Sequence, residues 1–372
     1  MSIIFWGCAA LVAFTYAGYP VWVRAWAALR PQPVARADIT PTVTAILCVH
    51  DGEAQVGAKL NNLLALAYPE ALLDVVVVCD GCSDRSAEVC RAVRSSRVRV
   101  LEFAHRRGKA ACLNDAVSAA TGDILLMVDV RQRVEEKSLG ALVACLADPA
   151  VGAVGGELRF EHPETGFAAS VDAYWRYEKA IRQAESRSGS VVGVSGALYA
   201  MRRKLFVPLP AGTVLDDVLV PMQVVRAHRR VVFEPGARAW DHASASAGDE
   251  RVRKVRTLAG NLQLVQLAPW LVNPLHNPIW FRFLCHKLLR LVAPWAMVLM
   301  VLAALVLAAD HRFYRACLAA AGLVVLVVAA APALPRLAAF WPVRMLVAFV
   351  HMNLYSAQAT VAFVRRRTLH LW

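Results

Sequence analysis

The chain has 372 residues, 58% of them apolar, and only 19% are Asp, Glu, Lys or Arg. A soluble domain is about half apolar and about a quarter charged, so this composition excludes disorder and argues against an ordinary soluble enzyme. With 41 basic and 28 acidic side chains the formal charge is +13, which points to anionic partners: lipid head groups, phosphorylated substrates or nucleic acid.

Residues 1–23 carry no charged side chain and are followed by Arg24, Arg30 and Arg36. An apolar helix needs roughly 20 residues to cross the hydrocarbon core. The run is long, has no basic stretch before it and has its positive charges behind it. That pattern predicts a retained transmembrane anchor with its N-terminus outside, not a cleaved signal. Pro31, Pro33 and Pro41 make residues 24–41 a linker. Residues 42–49 read as a β-branched strand. In the helix predicted over 53–67, Val56, Leu60, Leu63, Leu64 and Ala67 share one face. Residues 74–79 (DVVVVC) form a near-continuous apolar strand, as a sheet covered on both faces requires. Helix 83–95, strand 97–103, helix 109–120 and strand 123–128 continue an alternation that predicts a parallel α/β sheet.

Residues 267–286 interleave prolines with Trp270, Trp280, Phe281 and Arg282, the pattern of an amphipathic segment lying at the bilayer surface. Residues 287–364 hold three further apolar runs, 291–309, 316–335 and 345–364. His286, Lys287 and Arg290 precede the first of them and put the middle of the chain in the cytoplasm. Four spans that start outside would end outside, whereas the basic tail 365–372, led by Arg365, Arg366 and Arg367, favours the cytoplasm. The expectation is an integral protein of a bacterial-type inner (plasma) membrane. Nine cysteines are scattered through it, and the lone Cys79-x-x-Cys82 has no second ligand pair, so reduced thiols are expected rather than zinc.

In open α/β sheets ligands bind at the carboxyl ends of the strands. Three polar clusters sit there: His50-Asp51-Gly52-Glu53, Asp80-Gly81-Cys82-Ser83-Asp84 and Asp129-Val130-Arg131. Asp80 either caps a helix or accepts hydrogen bonds from a ligand; Ser83 or Asp84 is available for the capping. Asp129 suits a divalent cation, and Arg131 is the right type to neutralise a diphosphate. Arg106, Arg107 and Lys109 surround Gly108 at a helix start, a plausible anion site. Asp216-Asp217 either caps a helix or holds a base whose pKa its neighbour raises. Arg253 and Arg256 share a helical face that suits diphosphate or phospholipid head groups, or merely solvent.

These clusters, in this order, resemble the membrane-embedded family 2 glycosyltransferases, the branch with cellulose, hyaluronan and poly-N-acetylglucosamine synthases. The family's strand-end turn carries Asn and Glu; here Asp51 stands for the Asn and Glu53 fits. Its Asp-Asp-Gly-Ser-x-Asp reads Cys79-Asp80-Gly81-Cys82-Ser83-Asp84, and its Gly-Lys-x-x-x-x-Asn reads from Gly108-Lys109 to Asn114. Gly122-Asp123 and the strand to Asp129 match the metal-binding segment, Ser195-Gly196-Ala197 with Arg202-Arg203 the acceptor side, and Asp216-Asp217 the acidic pair. The resemblance implies a GT-A catalytic domain over 42–266 and inverting transfer from a nucleotide-diphosphate sugar, with a UDP-sugar the expected donor. It implies donor contacts at Glu53, Asp80, Lys109, Asp129 and Arg131, with Asp129 holding Mg²⁺ or Mn²⁺. Asp217 would be the base, and Asp216, Ser195, Gly196, Arg253 and Arg256 would lie on the acceptor or diphosphate side. The acceptor would be a glycan or a lipid-linked chain, in exopolysaccharide or cell-surface glycan synthesis, with membrane lipids and other glycan-export subunits as partners and no nucleic acid.

Two departures stand out. Asp-x-Asp is Asp129-x-Arg131, and the tryptophan of the processive enzymes' Gln-x-x-Arg-Trp is Thr257 beside a retained Arg256. The second weighs against processive synthesis. It leaves single-sugar transfer to a polyprenyl phosphate as an alternative, and the first departure leaves a non-catalytic nucleotide-binding or scaffolding subunit of a secretion complex as another.

Overall fold

The computed structural model describes residues 1–161, 166–242 and 247–365. Among these residues one sheet contains β1 (Val43–Val49), β2 (Leu73–Asp80), β3 (Val98–Phe103), β4 (Ile124–Val128), β5 (Arg133–Val134), β6 (Val151–Glu161), β7 (Tyr199–Arg202) and β8 (Arg230–His242). Their order across the sheet is β3-β2-β1-β4-β7-β6-β8-β5.

The first half is the parallel alternation read from the sequence. β1 pairs in parallel with β2 and β4, and β2 with β3. Helices Glu53–Leu64, Ser86–Ala92 and Lys109–Ala119 make the crossovers that parallel pairing requires. The second half departs from the expected parallel sheet. β7 runs antiparallel to both β4 and β6, β5 antiparallel to β8, and β6 parallel to β8. The cause is local: the chain enters β7 from Gly196, which lies against Asp129 at the carboxyl end of β4, so β7 can only run back along it.

Both faces of the sheet are covered. Ala45, Leu47, Val49, Val75 and Val77 face one side with Val56, Leu60 and Leu63 of the first crossover helix. Ile46, Val76 and Val78 face the other with Leu113, Leu219 and Met222. Two-sided burial is why DVVVVC lacks polar alternation. Each such Val or Leu contributes about 1.5–3 kcal/mol of apolar burial.

Four helices among the described residues are long and apolar enough to cross a membrane: Ser2–Leu29, Trp280–Leu307, Arg312–Ala333 and Trp341–Val364. Their outward faces stay apolar, with Ile3, Leu323, Val325 and Leu326 exposed, as contact with lipid requires. The first helix packs Phe5 against Ala303, Ala304 and Tyr314. The second begins at Trp280 and passes through a π-turn at Leu284–Leu288 without breaking, so the end of the expected surface segment is helix. Ahead of it, a short 3₁₀ turn at Pro269–Val272 precedes Leu275, which is 88% exposed. Of the expected basic tail, residues 366–372 lie outside the described residues.

Candidate active site

The polar turns after β1 and β2 are laced together. Asp51, at φ 48°, accepts hydrogen bonds from the Ser83 N–H at 2.7 Å and its hydroxyl at 3.1 Å. The Glu53 N–H donates to Asp84 Oδ2 at 2.9 Å, and the Glu53 carboxylate pairs with Arg85. Glu53 therefore braces the second turn.

Asp80 is fully buried at the end of β2. Its Oδ2 accepts the backbone N–H groups of Arg107 (2.9 Å) and Gly108 (2.8 Å), and its Oδ1 the Arg107 Nε–H at 3.3 Å. It bonds no helix start in its own turn, where Asp84 accepts from the Ser86 N–H at 2.9 Å. Instead Asp80 holds the loop that opens helix Lys109–Ala119. Arg107 lies 3.5 Å over the Phe103 ring and also pairs with Asp115 at 2.8 Å. Gly81 allows the close approach, since a Cβ there would stand 2.3 Å from the Arg106 nitrogen at φ +59°.

Lys109 carries the centre of the site. Its Nζ lies 2.9 Å from Asp129 Oδ1 and 3.1 Å from Asp216 Oδ2, joining the end of β4 to the start of helix Asp216–Arg226. Burial alone would lower the Lys109 pKa, but the Asp129 and Asp216 carboxylates hold it well above its usual range. Burial opposes ionisation of Asp129 too, yet Lys109 keeps its pKa low. Asp217 behaves in the opposite way: burial first, and the neighbouring Asp216 second, raise its pKa to about 6. The Ser195-Gly196 turn closes over this group. A Cβ at Gly196 would stand 3.3 Å from Asp129 Oδ2 and 3.5 Å from Lys109 Nζ, so the glycine leaves a cradle above the pair.

Arg131 acts on Asp129 only through its charge, helping to keep that pKa low, and Arg253 and Arg256 sit on a different helix from Asp216 and Asp217. Arg131 turns to Asp241 on β8, which also accepts from Gln132 Nε2 at 2.9 Å, so its guanidinium is committed to a buried carboxylate. Arg253 and Arg256 are half-buried on helix Ala247–Leu267. That helix braces the loop leading to Asp216: Gln263 Oε1 accepts from the Val214 N–H at 3.0 Å, and its Nε2 donates to the Gly212 carbonyl at 2.9 Å.

Sequence reasoning missed Lys59 and Tyr199. Lys59 is buried, donates to the Gln132 carbonyl at 2.6 Å, and has its pKa lowered to about 7 by burial while Asp129 pulls the other way. Its signal was a lysine on the apolar face shared by Val56, Leu60 and Leu63. The Tyr199 hydroxyl is buried without a hydrogen-bond partner, and burial and Asp216 raise its pKa. Nothing in a strand of sequence Tyr-Ala-Met-Arg announces that.

Residues 41–259, well over half of the chain, match the model of the glycosyltransferase-like family 2. The chain is a family 2 glycosyltransferase. The poly-β-1,6-N-acetyl-D-glucosamine synthase of Staphylococcus aureus strain COL is 22% identical over 244 residues, 64% of this chain and 58% of that one. This glycosyltransferase thus spans less than two thirds of that relative's length. Glycosyltransferase AglE of Haloferax volcanii is 26% identical over 131 residues, 35% of this chain and 43% of its own. Among solved structures, the mannosyltransferase PcManGT from Pyrobaculum calidifontis, in complex with GDP-Man and Mn²⁺, superposes with a TM-score of 0.75 at 24% identity, covering 98% of this chain and 100% of that one. That likeness establishes the GT-A fold together with the terminal helices.

Proposed function

We propose that this glycosyltransferase moves a sugar, with inversion, from a nucleoside-diphosphate donor to a glycan or lipid-linked acceptor at the membrane surface. A UDP-sugar is the expected donor, and the product belongs to exopolysaccharide or cell-surface glycan synthesis. The observation that carries the reading is the pairing of opposites at the strand ends: Lys109 held cationic between Asp129 and Asp216, and Asp217 beside them holding its proton up to about 6. A fixed cation suits a diphosphate leaving group, and a carboxylate with a raised pKa suits removal of a hydroxyl proton.

The residues also fit a divalent metal. Asp129 Oδ2 has no hydrogen-bond partner among the described residues and faces the cradle above Gly196. Carboxylate oxygen suits Mg²⁺ or Mn²⁺, and Asp129 would hold the ion. A bound ion there supplies charge neutralisation for the leaving diphosphate. Around it, Asp80 fixes the loop that aims Lys109, the Gly196 turn leaves room for the donor phosphates, and Asp217 takes the acceptor's proton. Arg131 acts through Asp241 on the shape of the strand end.

Thr257 in place of the stacking tryptophan favours transfer of one sugar, and polyprenyl phosphate is the corresponding acceptor. Incubating the purified chain in lipid with labelled nucleotide-sugars and Mn²⁺ or Mg²⁺, then sizing the product, separates the outcomes. A lipid carrying one sugar supports single transfer and a long chain supports polymerisation. No turnover with any donor overturns both.

A further inference from the structure

Helix Glu53–Leu64 carries a lysine on its buried face. Lys59 lies among Val56, Leu60 and Leu63 and is 3% exposed. Lysine is almost never fully buried unless it is paired, and among the described residues no carboxylate oxygen lies within 4.0 Å of this one. Its Nζ donates instead to a backbone atom, the Gln132 carbonyl, at 2.6 Å. An apolar side chain of similar length would fill the same place without taking a polar head out of water, so packing does not account for the lysine.

The atom it holds does. Gln132 stands three residues after Asp129, on the turn that leaves the carboxyl end of β4. Further along, the segment is tied to this helix and its end by uncharged groups. Asn62 Nδ2 donates to the Val134 carbonyl and its Oδ1 accepts the Val134 N–H, both at 2.8 Å, and the Ala67 N–H donates to the Glu136 carbonyl at 3.0 Å. Those ties place β5. Among the described residues, Lys59 is the helix's first hold on the backbone after Asp129. From the other side, the Arg131 and Gln132 side chains go to Asp241 on β8. The turn is thus pinned twice, and Asp129 stands at its head with Oδ1 on Lys109. The two lysines come from opposite faces of the sheet, since Lys59 shares its helix face with one core cluster and the Lys109 helix packs into the other. Burial lowers the Lys59 pKa to about 7, so above neutral pH the group is largely an amine. An amine still donates an N–H but sets no fixed charge against a cation at Asp129. Metal-binding carboxylates depend on outer ties of this kind, whose loss typically costs about 10–100-fold in affinity.

We infer that Lys59 is a positioning residue for the metal-facing carboxylate: by holding the Gln132 carbonyl it fixes the turn that presents Asp129 to a divalent cation, and so sets how strongly that cation joins a nucleoside diphosphate to the chain. This rests on the sugar-transfer reading and adds to it a residue from beneath the sheet.

The test is calorimetry at pH 8 on the full chain in phosphatidylcholine nanodiscs, titrated with UDP and with GDP, each in Mn²⁺ and in EDTA. In the native chain Mn²⁺ should tighten the binding of one of the two nucleotides. Lys59→Met, which keeps an apolar stem without the donor, should weaken Mn²⁺-dependent binding about tenfold and leave binding in EDTA within about twofold. Lys59→Gln, whose amide stops a bond short of the carbonyl, should do the same and decides the matter if the methionine variant does not fold. Asn62→Leu removes two hydrogen bonds from the same segment; it should lower the urea midpoint yet keep Mn²⁺-dependent binding within about twofold. A folded Lys59 variant that binds nucleotide with Mn²⁺ as the native chain does overturns the inference. An equal loss in Asn62→Leu, or an equal loss in EDTA, also overturns it, because either makes Lys59 a structural tie only. Native binding that Mn²⁺ leaves unchanged overturns it whether or not any variant folds. Nucleotide release from labelled UDP- and GDP-sugars is followed on the same native samples. Turnover beside unaltered Mn²⁺ dependence in the Lys59 variants sinks this inference alone, whereas the expected loss in those variants with no turnover from any donor sinks the sugar-transfer reading.

Discussion

Asp217 is where the electrostatics of the site become testable at a single residue. Its pKa of about 6 stands above the ordinary carboxylate value because burial and Asp216 disfavour the charge. Only the ionised form is a base, so kcat/KM should be level above about pH 6 and fall about tenfold per unit below it. Asp217→Asn should lower kcat by about 10²–10⁴-fold, read as nucleotide release. The same shift has an opposite sign for stability. A carboxyl with a raised folded pKa favours folding while protonated and loses that contribution as pH rises through about 6. At pH 8 the inactive asparagine variant should therefore be the more stable protein, by on the order of 1 kcal/mol after allowance for its partial exposure. A pH profile without an acid limb near 6 would contradict this assignment. At Gly196, Gly196→Val would fill the cradle 3.3 Å from Asp129 Oδ2, and the expected result is a large rise in KM for donor with the fold intact by circular dichroism.

At the level of the elements, two strand-end assignments changed meaning. Asp80, open in the sequence to either helix capping or ligand binding, gives its carboxylate to the Arg107 and Gly108 N–H groups and so aims Lys109. Asp80→Ala should unfold at lower denaturant as well as lose activity, costing about 1–3 kcal/mol for the stranded N–H donors. Arg131 was expected on the diphosphate, and it pairs with Asp241 instead. Arg131→Ala leaves that carboxylate buried without its main partner, and about 3 kcal/mol should be lost, measured by urea unfolding. The parallel half of the sheet was legible because apolar runs and helical periodicity are local signals. Asp129, Lys109 and Asp216 were each visible as strand-end or helix-start residues. That one lysine joins them was not, because its contact with Asp216 reaches across several intervening elements of the chain. β7 was missed for a related reason: a four-residue strand entered from the far end carries no period.

For the whole molecule, the apolar excess in the composition has two addresses. One is a sheet buried on both faces, and the other is four helices whose outer surfaces are apolar. The catalytic domain and these helices are joined by Tyr19, Glu178, Glu185, His286 and Arg290, a buried network that no short-range pattern reveals. Breaking it from one side strands the other, so His286→Leu should cost about 3–5 kcal/mol and release the domain to protease at lower temperature than the native chain. The chain should also stay with the membrane pellet after alkaline carbonate extraction, as a protein held by spanning helices does.

The central claim is that Lys109, Asp129 and Asp217 form one sugar-transfer centre. It is tested most directly by mass spectrometry of the lipid and glycan products formed by the purified chain from nucleotide-sugars, with and without Mn²⁺ or Mg²⁺, beside Asp217→Asn. A sugar adduct that appears with the native chain and is reduced at least about a hundredfold in the variant is the predicted result. An adduct formed equally by the variant, or none formed from any donor, would contradict the account.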